Sequence, residues 1–283
     1  MRGLSRLTHR HGKFLELISD FGGSGSISLS LDGAGYGELT LNNAEKKGAM
    51  SAPMMLDLAA NIDTLTHDEE GVTGLALRSK GTIFSAGLDL KLAKGVINTG
   101  DKGAMMYDFM CDALWRLRNA PFVSVACLQG HAIGGGLELA SATDYRIIVK
   151  KSNNEPYLQS VHAKIGATPG WGGLARTKDI IGRKDALTLY GTCRRVSAEA
   201  ACDLGLVDFI EVYNDHEGGD FDVFCSTASR KFLDPFLSQP YHGSIRGIKR
   251  AVAAADGWPT QETEGGVFRE RWMGTDMQEA LQR

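Results

Sequence analysis

Residues 128–140, LQGHAIGGGLELA, place three consecutive glycines and then Glu138 inside an otherwise apolar stretch. Glycine weakens regular secondary structure, and a carboxylate is costly to bury in apolar surroundings. The preceding residues, FVSVACLQG, have the continuous apolar character of a buried strand, and GGGLELASATD is typical of a helix. The stretch therefore predicts a buried strand that enters a helix through a glycine turn, where backbone N–H groups are left free.

The rest of the chain also alternates between strand and helix patterns. SISLSL and ELTLNN, separated by glycines, predict two strands, whereas APMMLDLAANIDTLTHD has apolar residues at helical spacing. From about residue 184 the pattern becomes mainly helical, and YNDHEGGD (213–220) is typical of a surface linker. This alternation predicts an α/β fold. We expect three parts: an N-terminal extension or helix (1–24), a core that holds the site (25–210) and a C-terminal helical region (211–283).

The composition disfavours several classes of partner. With 283 residues, a net charge of −3 and a pI of about 6.2, the chain shows no basic face for nucleic acid. No apolar run reaches the roughly 20 residues that a membrane-spanning helix needs. The five cysteines form no CxxC pair, which favours buried free thiols in a reducing compartment. We therefore expect a cytoplasmic protein.

The first fourteen residues, MRGLSRLTHRHGKF, are basic and contain no acid. They are compatible with a mitochondrial transit peptide, although an N-terminal helix is favoured because serine is scarce. His9 and His11 lack a third ligand nearby, so no metal site is predicted.

A second loop, FSAGLDL (84–90), resembles the glycine turn because it also follows a buried strand and consists of small residues. Two such loops facing each other would direct two backbone N–H groups at one ligand oxygen, the arrangement that stabilises a developing oxyanion. The alternative, two tight strand-to-helix connections without chemistry, stays open on spacing alone.

Three segments, GTIFSAGLDLK, SVACLQGHAIGGGLELASATDYRI and KIGATPGWGGLARTKDIIG, together resemble the crotonase (enoyl-CoA hydratase/isomerase) superfamily over residues 25–210. The resemblance implies a spiral of ββα units and C-terminal helices that assemble a homotrimer or a dimer of trimers. It also implies an acyl-CoA thioester as substrate, with no cofactor besides the CoA that the substrate carries. By motif position, the oxyanion donors are the backbone N–H groups of Leu88 and Gly135.

The resemblance also implies the substrate-binding residues. Ala86 would face the adenine of CoA and Lys91 its phosphates, and Gly134 is a further substrate- or CoA-binding residue. Trp171 would line the acyl pocket, although it is equally compatible with an ordinary core position. The chain departs from the family at Ala44 and Gly48, where proline and asparagine are usual, and Lys249 is only a weak candidate for a late CoA contact.

The departure with the largest consequence concerns the second catalytic acid. Hydratases of this family use two glutamates, one as base and one as acid. Glu138 occupies the first position, but His162, four residues before Gly166, occupies the second. The two-acid mechanism is thus incomplete. His162 is predicted either to carry protons, as imidazoles do near neutral pH, or to be a packed, hydrogen-bonded core residue.

Decarboxylation needs an oxyanion hole but not two acids. The segments VHAKIGATPGWGG and RERWMGT resemble a decarboxylating branch of the superfamily. We therefore expect CO₂ to be removed from a short branched malonyl-type thioester, ethylmalonyl-CoA or methylmalonyl-CoA, with Glu138 and His162 as catalytic residues of unassigned order. Two alternatives stay open: an enoyl-CoA hydratase or isomerase with altered acid–base groups, and a non-catalytic binder of acyl-CoA or of a partner protein.

Overall fold

The structure, a computed structural model, describes residues 2–67, 71–152, 154–214 and 219–253, together with 269, 272–274, 278 and 281–282. The expected helix at the N-terminus is present. The helices are α1 (Arg2–Ser19), α2 (Ala52–His67), α3 (Leu90–Gly95), α4 (Gly100–Asn119), α5 (Gly135–Ala140), α6 (Gly173–Thr192), α7 (Ala198–Asp203), α8 (Phe221–Leu237) and α9 (His242–Ala253).

A six-stranded sheet forms the centre of the described structure. Its strands are, in spatial order, β1 (Ser26–Leu31), β2 (Tyr36–Asn42), β3 (Gly74–Ser79), β4 (Val123–Leu128), β6 (Tyr145–Lys151) and β9 (Phe209–Tyr213). Strands β1 and β2 form an antiparallel pair, and every other neighbouring pair is parallel. Every residue of the inner strands β3 and β4 is buried because both faces of the sheet are covered, which is typical of parallel sheets. The predicted α/β class is confirmed.

A second, three-stranded sheet lies next to the glycine turn. It contains β5 (Ala132–Ile133), β7 (Tyr157–Gln159) and β8 (Val196–Ser197). The pairing of β5 with β7 brings the chain just before the three glycines alongside the chain that leads to His162. This small sheet therefore brings together two parts of the predicted site that are separated in sequence.

The chain is mainly helical after residue 184 within the described ranges, as predicted, but two short strands that were not predicted, β8 and β9, lie between the helices. Strand β9 pairs in parallel with β6 and becomes the last strand of the large sheet. Its five residues, FIEVY, are too few for a clear periodic pattern, which is why the sequence did not reveal it. The polar stretch 213–220 begins inside β9, and residues 215–218 lie outside the described part of the chain.

Helix α1 is part of the folded body because its apolar face packs on α2 and α4. Phe14 is 1% exposed, Ile18 is fully buried, and the ring centroids of Phe14 and Phe109 lie 5.1 Å apart. The N-terminal segment thus adds to the main hydrophobic core.

Replacing Phe14 with alanine is expected to lower the free energy of unfolding by about 3–5 kcal/mol, because a buried aromatic ring is lost from a packed core. Urea unfolding of the purified variant measures this change. Lys13→Ala, which removes an exposed side chain from the same helix, is the control. A Phe14 variant as stable as the control would contradict the packing of α1.

Four of the five cysteines are buried, Cys202 is partly exposed, and all five are free thiols, as predicted. No helix within the described ranges has the length and apolar character needed to cross a membrane. The same residues contain no cluster of three His, Cys, Asp or Glu side chains suited to a metal ion.

Candidate active site

Each glycine of the triplet meets a different requirement of the site. Gly134 has φ +56°, a conformation that residues with a Cβ rarely adopt. A Cβ on Gly135 would lie 2.5 Å from the Trp171 ring, and one on Gly136 would lie 2.3 Å from the carbonyl oxygen of Ser85. The three glycines therefore allow the start of α5 to approach both the indole ring and the loop that contains Ser85.

The loop of residues 84–90 contacts the glycine turn directly. Gly87 has φ +88°, and a Cβ there would lie 2.8 Å from the backbone nitrogen of Gly135. The Gly87 carbonyl accepts from the Met50 N–H, and the Asp89 N–H donates to the Met50 carbonyl. Because both bonds go to Met50, the intervening N–H of Leu88 points away from it.

The backbone N–H groups of Leu88 and Gly135 are free to bind a ligand. In the part of the chain that the structure describes, neither donates a hydrogen bond to a protein atom. The Gly135 N–H belongs to the first residue of α5, where helical geometry leaves it without an acceptor. These are the two amides predicted as oxyanion donors, and their loops are in contact. Their role in binding stays a prediction.

Glu138 is 1% exposed, and its carboxylate is surrounded by hydrogen-bond donors. Oε2 accepts from the N–H groups of Trp171 (2.7 Å) and Gly173 (3.0 Å). Oε1 accepts from the N–H of Gly170 (3.2 Å) and lies 3.1 Å from Nε2 of His162. Four donors on two oxygens explain how the chain tolerates a buried acid here.

The loop that supplies these amides is fixed by a glycine and an arginine. A Cβ on Gly173 would lie 2.3 Å from Cγ of Glu138, so only glycine permits this crossing of α5 and α6. Arg176 is buried and donates to the carbonyl oxygens of Glu138 (2.9 Å) and Trp171 (2.7 Å) and to Oγ of Ser141 (3.2 Å). Its guanidinium joins α5 to the loop.

These contacts determine the charge of Glu138. Burial alone would raise the pKa of its carboxyl, but the hydrogen bond and positive charge of His162 and the amides of Gly173 and Trp171 outweigh burial. The pKa of Glu138 is therefore lowered from its ordinary value of 4.5. The side chain is an anion at neutral pH and accepts hydrogen bonds only.

The lowered pKa predicts a pH-dependent contribution to stability. A carboxyl whose folded-state pKa lies below its unfolded value stabilises the fold above the unfolded value, 4.5, and the contribution disappears as pH falls through the folded pKa. Glu138→Gln should lower the free energy of unfolding by about 1–3 kcal/mol at neutral pH, because its amide NH₂ would face a backbone donor. The difference from wild type should shrink below about pH 4.5.

Urea unfolding of wild type and Glu138→Gln over a range of pH measures this difference. Glu16→Gln, at an exposed position of α1, controls for the substitution. A difference between wild type and Glu138→Gln that is constant across the range, or that grows as pH falls, would contradict an ionised Glu138.

His162 lies at the start of a short 3₁₀ helix (His162–Ile165) that follows β7. Besides the contact with Glu138, its Nδ1 lies 3.1 Å from Oγ of Ser160. The His162 ring also stacks on that of Tyr190, with centroids 6.3 Å apart. Its side chain is 13% exposed, against 1% for Glu138, so His162 is the member of the pair that reaches the protein surface.

Of the predicted CoA-binding residues, Ala86 lies in the 84–90 loop and Lys91 lies in α3, directly after it. The N–H of Ala86 donates to the carbonyl of Lys47 (2.9 Å), and Asp89 caps α3 by accepting from the N–H of Lys91 (2.7 Å). A cavity of about 350 Å³ opens beside Lys91. It is lined by Phe21, Gly22, Gly23, Ser24, Lys46, Ser51, Ala52, Asp89, Lys91 and Leu92.

Trp171 occupies a core position, and its role in lining an acyl pocket stays a prediction. It is 2% exposed and belongs to the main core, yet its ring lies against the α-carbon of Gly135. The departure at Gly48 has a steric reason, because a Cβ there would lie 2.4 Å from the carbonyl oxygen of Phe84. The hypothesis that Lys249 contacts CoA is wrong: Lys249 is buried against Asp144 and donates to the carbonyl of Arg118.

The structure thus brings Leu88, Gly134, Gly135, Glu138, His162 and Trp171 into one contiguous site, with Ala86 and Lys91 adjoining it. Sequence reasoning missed the amides of Gly170 and Gly173, and it missed Arg176 and Ser160. The three glycines of PGWGG were the available signal for a close backbone approach. Nothing in the sequence distinguished Ser160 from other serines.

Comparison with known proteins identifies the family of this chain. The sequence profile of the enoyl-CoA hydratase/isomerase family matches residues 32–215. The chain belongs to the enoyl-CoA hydratase/isomerase (crotonase) family. Ethylmalonyl-CoA decarboxylase of Gallus gallus is 36% identical over 94% of this chain and 86% of its own length. The proteins of the same name from Bos taurus and Xenopus tropicalis are 32% and 33% identical, each over 99% of this chain and 90% and 91% of their own lengths.

Solved structures confirm the crotonase fold. An enoyl-CoA hydratase from Bacillus halodurans superposes with a TM-score of 0.75 at 21% identity, covering 90% of this chain and 98% of its own. An enoyl-CoA hydratase from Mycobacterium avium subsp. paratuberculosis gives a TM-score of 0.74 at 20% identity, covering 93% of this chain and all of its own. This crotonase-family chain therefore shares the fold of these two enoyl-CoA hydratases.

Proposed function

We propose that this crotonase-family enzyme removes CO₂ from a short branched malonyl-type thioester, ethylmalonyl-CoA or methylmalonyl-CoA. The observation that carries the proposal is the hydrogen-bonded pair of Glu138 and His162 at 3.1 Å. One member is a fixed anion and the other an imidazole, so the pair lacks the second carboxyl that hydration uses. No cofactor other than the CoA of the substrate takes part in the proposed reaction.

The two free amides supply what decarboxylation requires. When the bond between the α-carbon and the carboxylate breaks, its electron pair moves into the thioester as an enolate, and CO₂ leaves. The N–H groups of Leu88 and Gly135 would bind the enolate oxygen. Each such donor contributes about 2.7–4 kcal/mol to transition-state stabilisation in other oxyanion holes.

The enolate then needs one proton at its α-carbon. Glu138 is a poor donor because its carboxyl is ionised and all its hydrogen bonds are to donors. We assign the proton to His162, which reaches the surface and regains a proton from water after turnover. Glu138 would hold the imidazole and balance its charge. With ethylmalonyl-CoA the product is butyryl-CoA.

The relatives named ethylmalonyl-CoA decarboxylase support this choice of substrate, since they match over nearly the whole chain. The expected CoA contacts of Ala86 and Lys91 are part of the same proposal, as is a homotrimer or dimer of trimers. The cavity beside Lys91 is also lined by a second lysine, Lys46. Two positive charges there suit the phosphates of CoA.

Assays with two substrates test the proposal. The purified protein is incubated with ethylmalonyl-CoA and, separately, with crotonyl-CoA, while CO₂ release and hydration are followed. We expect butyryl-CoA and CO₂ from the first substrate and a kcat/KM for hydration of the second that is at least about 100-fold lower. Efficient hydration without CO₂ release would assign the chain to the hydratases. No turnover of either substrate would favour a binding protein.

A further inference from the structure

Three side chains form an unbroken hydrogen-bonded chain at the site: the carboxylate of Glu138, the imidazole of His162 and the hydroxyl of Ser160. Oε1 of Glu138 lies 3.1 Å from Nε2 of His162, and Nδ1 of His162 lies 3.1 Å from Oγ of Ser160. Both ring nitrogens of His162 therefore have a partner inside the protein. A histidine held at both nitrogens has a fixed ring orientation.

The chemistry of the three groups fixes the position of the proton. The ionised carboxylate of Glu138 only accepts hydrogen bonds, so Nε2 of His162 must carry a proton. The hydroxyl of Ser160 can either donate or accept. It donates to Nδ1 when the imidazole is neutral and accepts from Nδ1–H when the imidazole is charged. Ser160 therefore holds the ring in both protonation states.

The Ser160 hydroxyl is buried and bonded to His162. The residue is fully buried, and within the described ranges its hydroxyl has no hydrogen-bond partner other than His162. Ser160 lies between Gln159, whose carbonyl accepts from the N–H of Gly134 (2.9 Å), and Val161, whose side chain faces Gly134. Movement of this segment would therefore also displace the glycine turn.

We propose that Ser160 is a positioning residue that keeps His162 in the tautomer with the proton on Nε2, with its ring directed at Glu138. The inference deepens the proposed function, on which it rests, since a ring held at both nitrogens keeps its orientation whether the imidazole is neutral or charged. It predicts that loss of the Ser160 hydroxyl affects the rate of turnover and leaves substrate binding unchanged.

Kinetics of Ser160→Ala tests the effect on rate. We expect kcat to fall about tenfold or more and KM to change less than about threefold. Losses of about this size follow in metalloenzymes when the hydrogen-bond partner of a ligating histidine is removed. Ser229→Ala is the matched control, because Ser229 is also fully buried and donates from its hydroxyl, to the carbonyl of Cys225, in α8. The control should keep wild-type kcat. A Ser160 variant with wild-type kcat would overturn the proposal.

A double substitution separates positioning from a general structural role. If Ser160 acts through His162, adding Ser160→Ala to His162→Ala should cost less than a further factor of about two in kcat. If the hydroxyl merely supports the fold, the loss should be as large in the double variant as in the single one. That second result would overturn the proposal.

Nitrogen-15 NMR of the imidazoles gives a readout that does not depend on which reaction the enzyme catalyses. In the wild-type protein the His162 signal, identified by its loss in His162→Ala, should show a protonated Nε2 and a hydrogen-bonded Nδ1. Ser160→Ala should shift the Nδ1 signal. A wild-type His162 with an unprotonated Nε2 would refute the inference, whereas a failed decarboxylation assay with this NMR signature intact would refute only the proposed function.

Discussion

Replacing His162 with alanine is expected to lower kcat for CO₂ release from ethylmalonyl-CoA by about 10²–10⁴-fold, the usual contribution of a general acid. His162 is the only titratable side chain that the described structure hydrogen-bonds to Glu138, and Glu138 is held as an anion by backbone amides. The variant would form the enolate with no placed proton donor. KM should change little, because the two free amides remain.

Steady-state kinetics of His162→Ala measures this loss. His67→Ala is the control, because His67 lies on α2 and is 47% exposed, outside the site. The fold should survive, since three backbone amides still bind the Glu138 carboxylate. If kcat of His162→Ala stays within about threefold of the wild-type value, His162 does not transfer the proton.

Gly87→Ala is the substitution expected to disable the oxyanion donors without removing a side chain. Its Cβ would lie 2.8 Å from the nitrogen of Gly135 and 2.9 Å from the carbonyl oxygen of Ile133, so the two loops must separate. The N–H groups of Leu88 and Gly135 would no longer reach one oxygen. We expect kcat to fall by about 10²–10³-fold, the loss measured when one oxyanion donor is removed.

Gly33→Ala controls for the backbone strain of this substitution. Gly33 has φ +73°, in the same left-handed region as Gly87, but no neighbouring atom lies within 4 Å of the position that a Cβ would occupy there. Backbone strain should lower the stability of both variants by about 1–3 kcal/mol. Thermal unfolding of the two variants measures this loss. Only Gly87→Ala should lose activity. Equal activity of the two variants would contradict a role for the contact between the loops.

The sequence predicted the site best at positions where a residue type is energetically costly in its surroundings. Three glycines after an apolar strand and a glutamate among apolar residues predicted both the turn and the buried acid, because each is costly unless something offsets it. The departure at His162 was visible because the segment before Gly166 could be aligned with a family motif. The α/β class followed from the alternation of patterns.

The sequence could not reveal contacts that depend on folding alone. The amides of Gly170, Trp171 and Gly173 carry no side-chain signature, so their convergence on Glu138 appears only when α6 crosses α5. Ser160 is an ordinary serine until β7 places it beside His162. Short strands such as β9 also lack a periodic pattern, since their pairing is decided by the neighbouring strand.

The crystal structure of this protein with butyryl-CoA bound tests the central claim most directly, because the thioester oxygen is the atom on which charge must build. We predict that this oxygen lies about 2.7–3.1 Å from both the Leu88 and the Gly135 nitrogen. A thioester oxygen more than about 4 Å from either nitrogen, or bound by other groups, lies outside hydrogen-bonding range and would contradict the proposed chemistry.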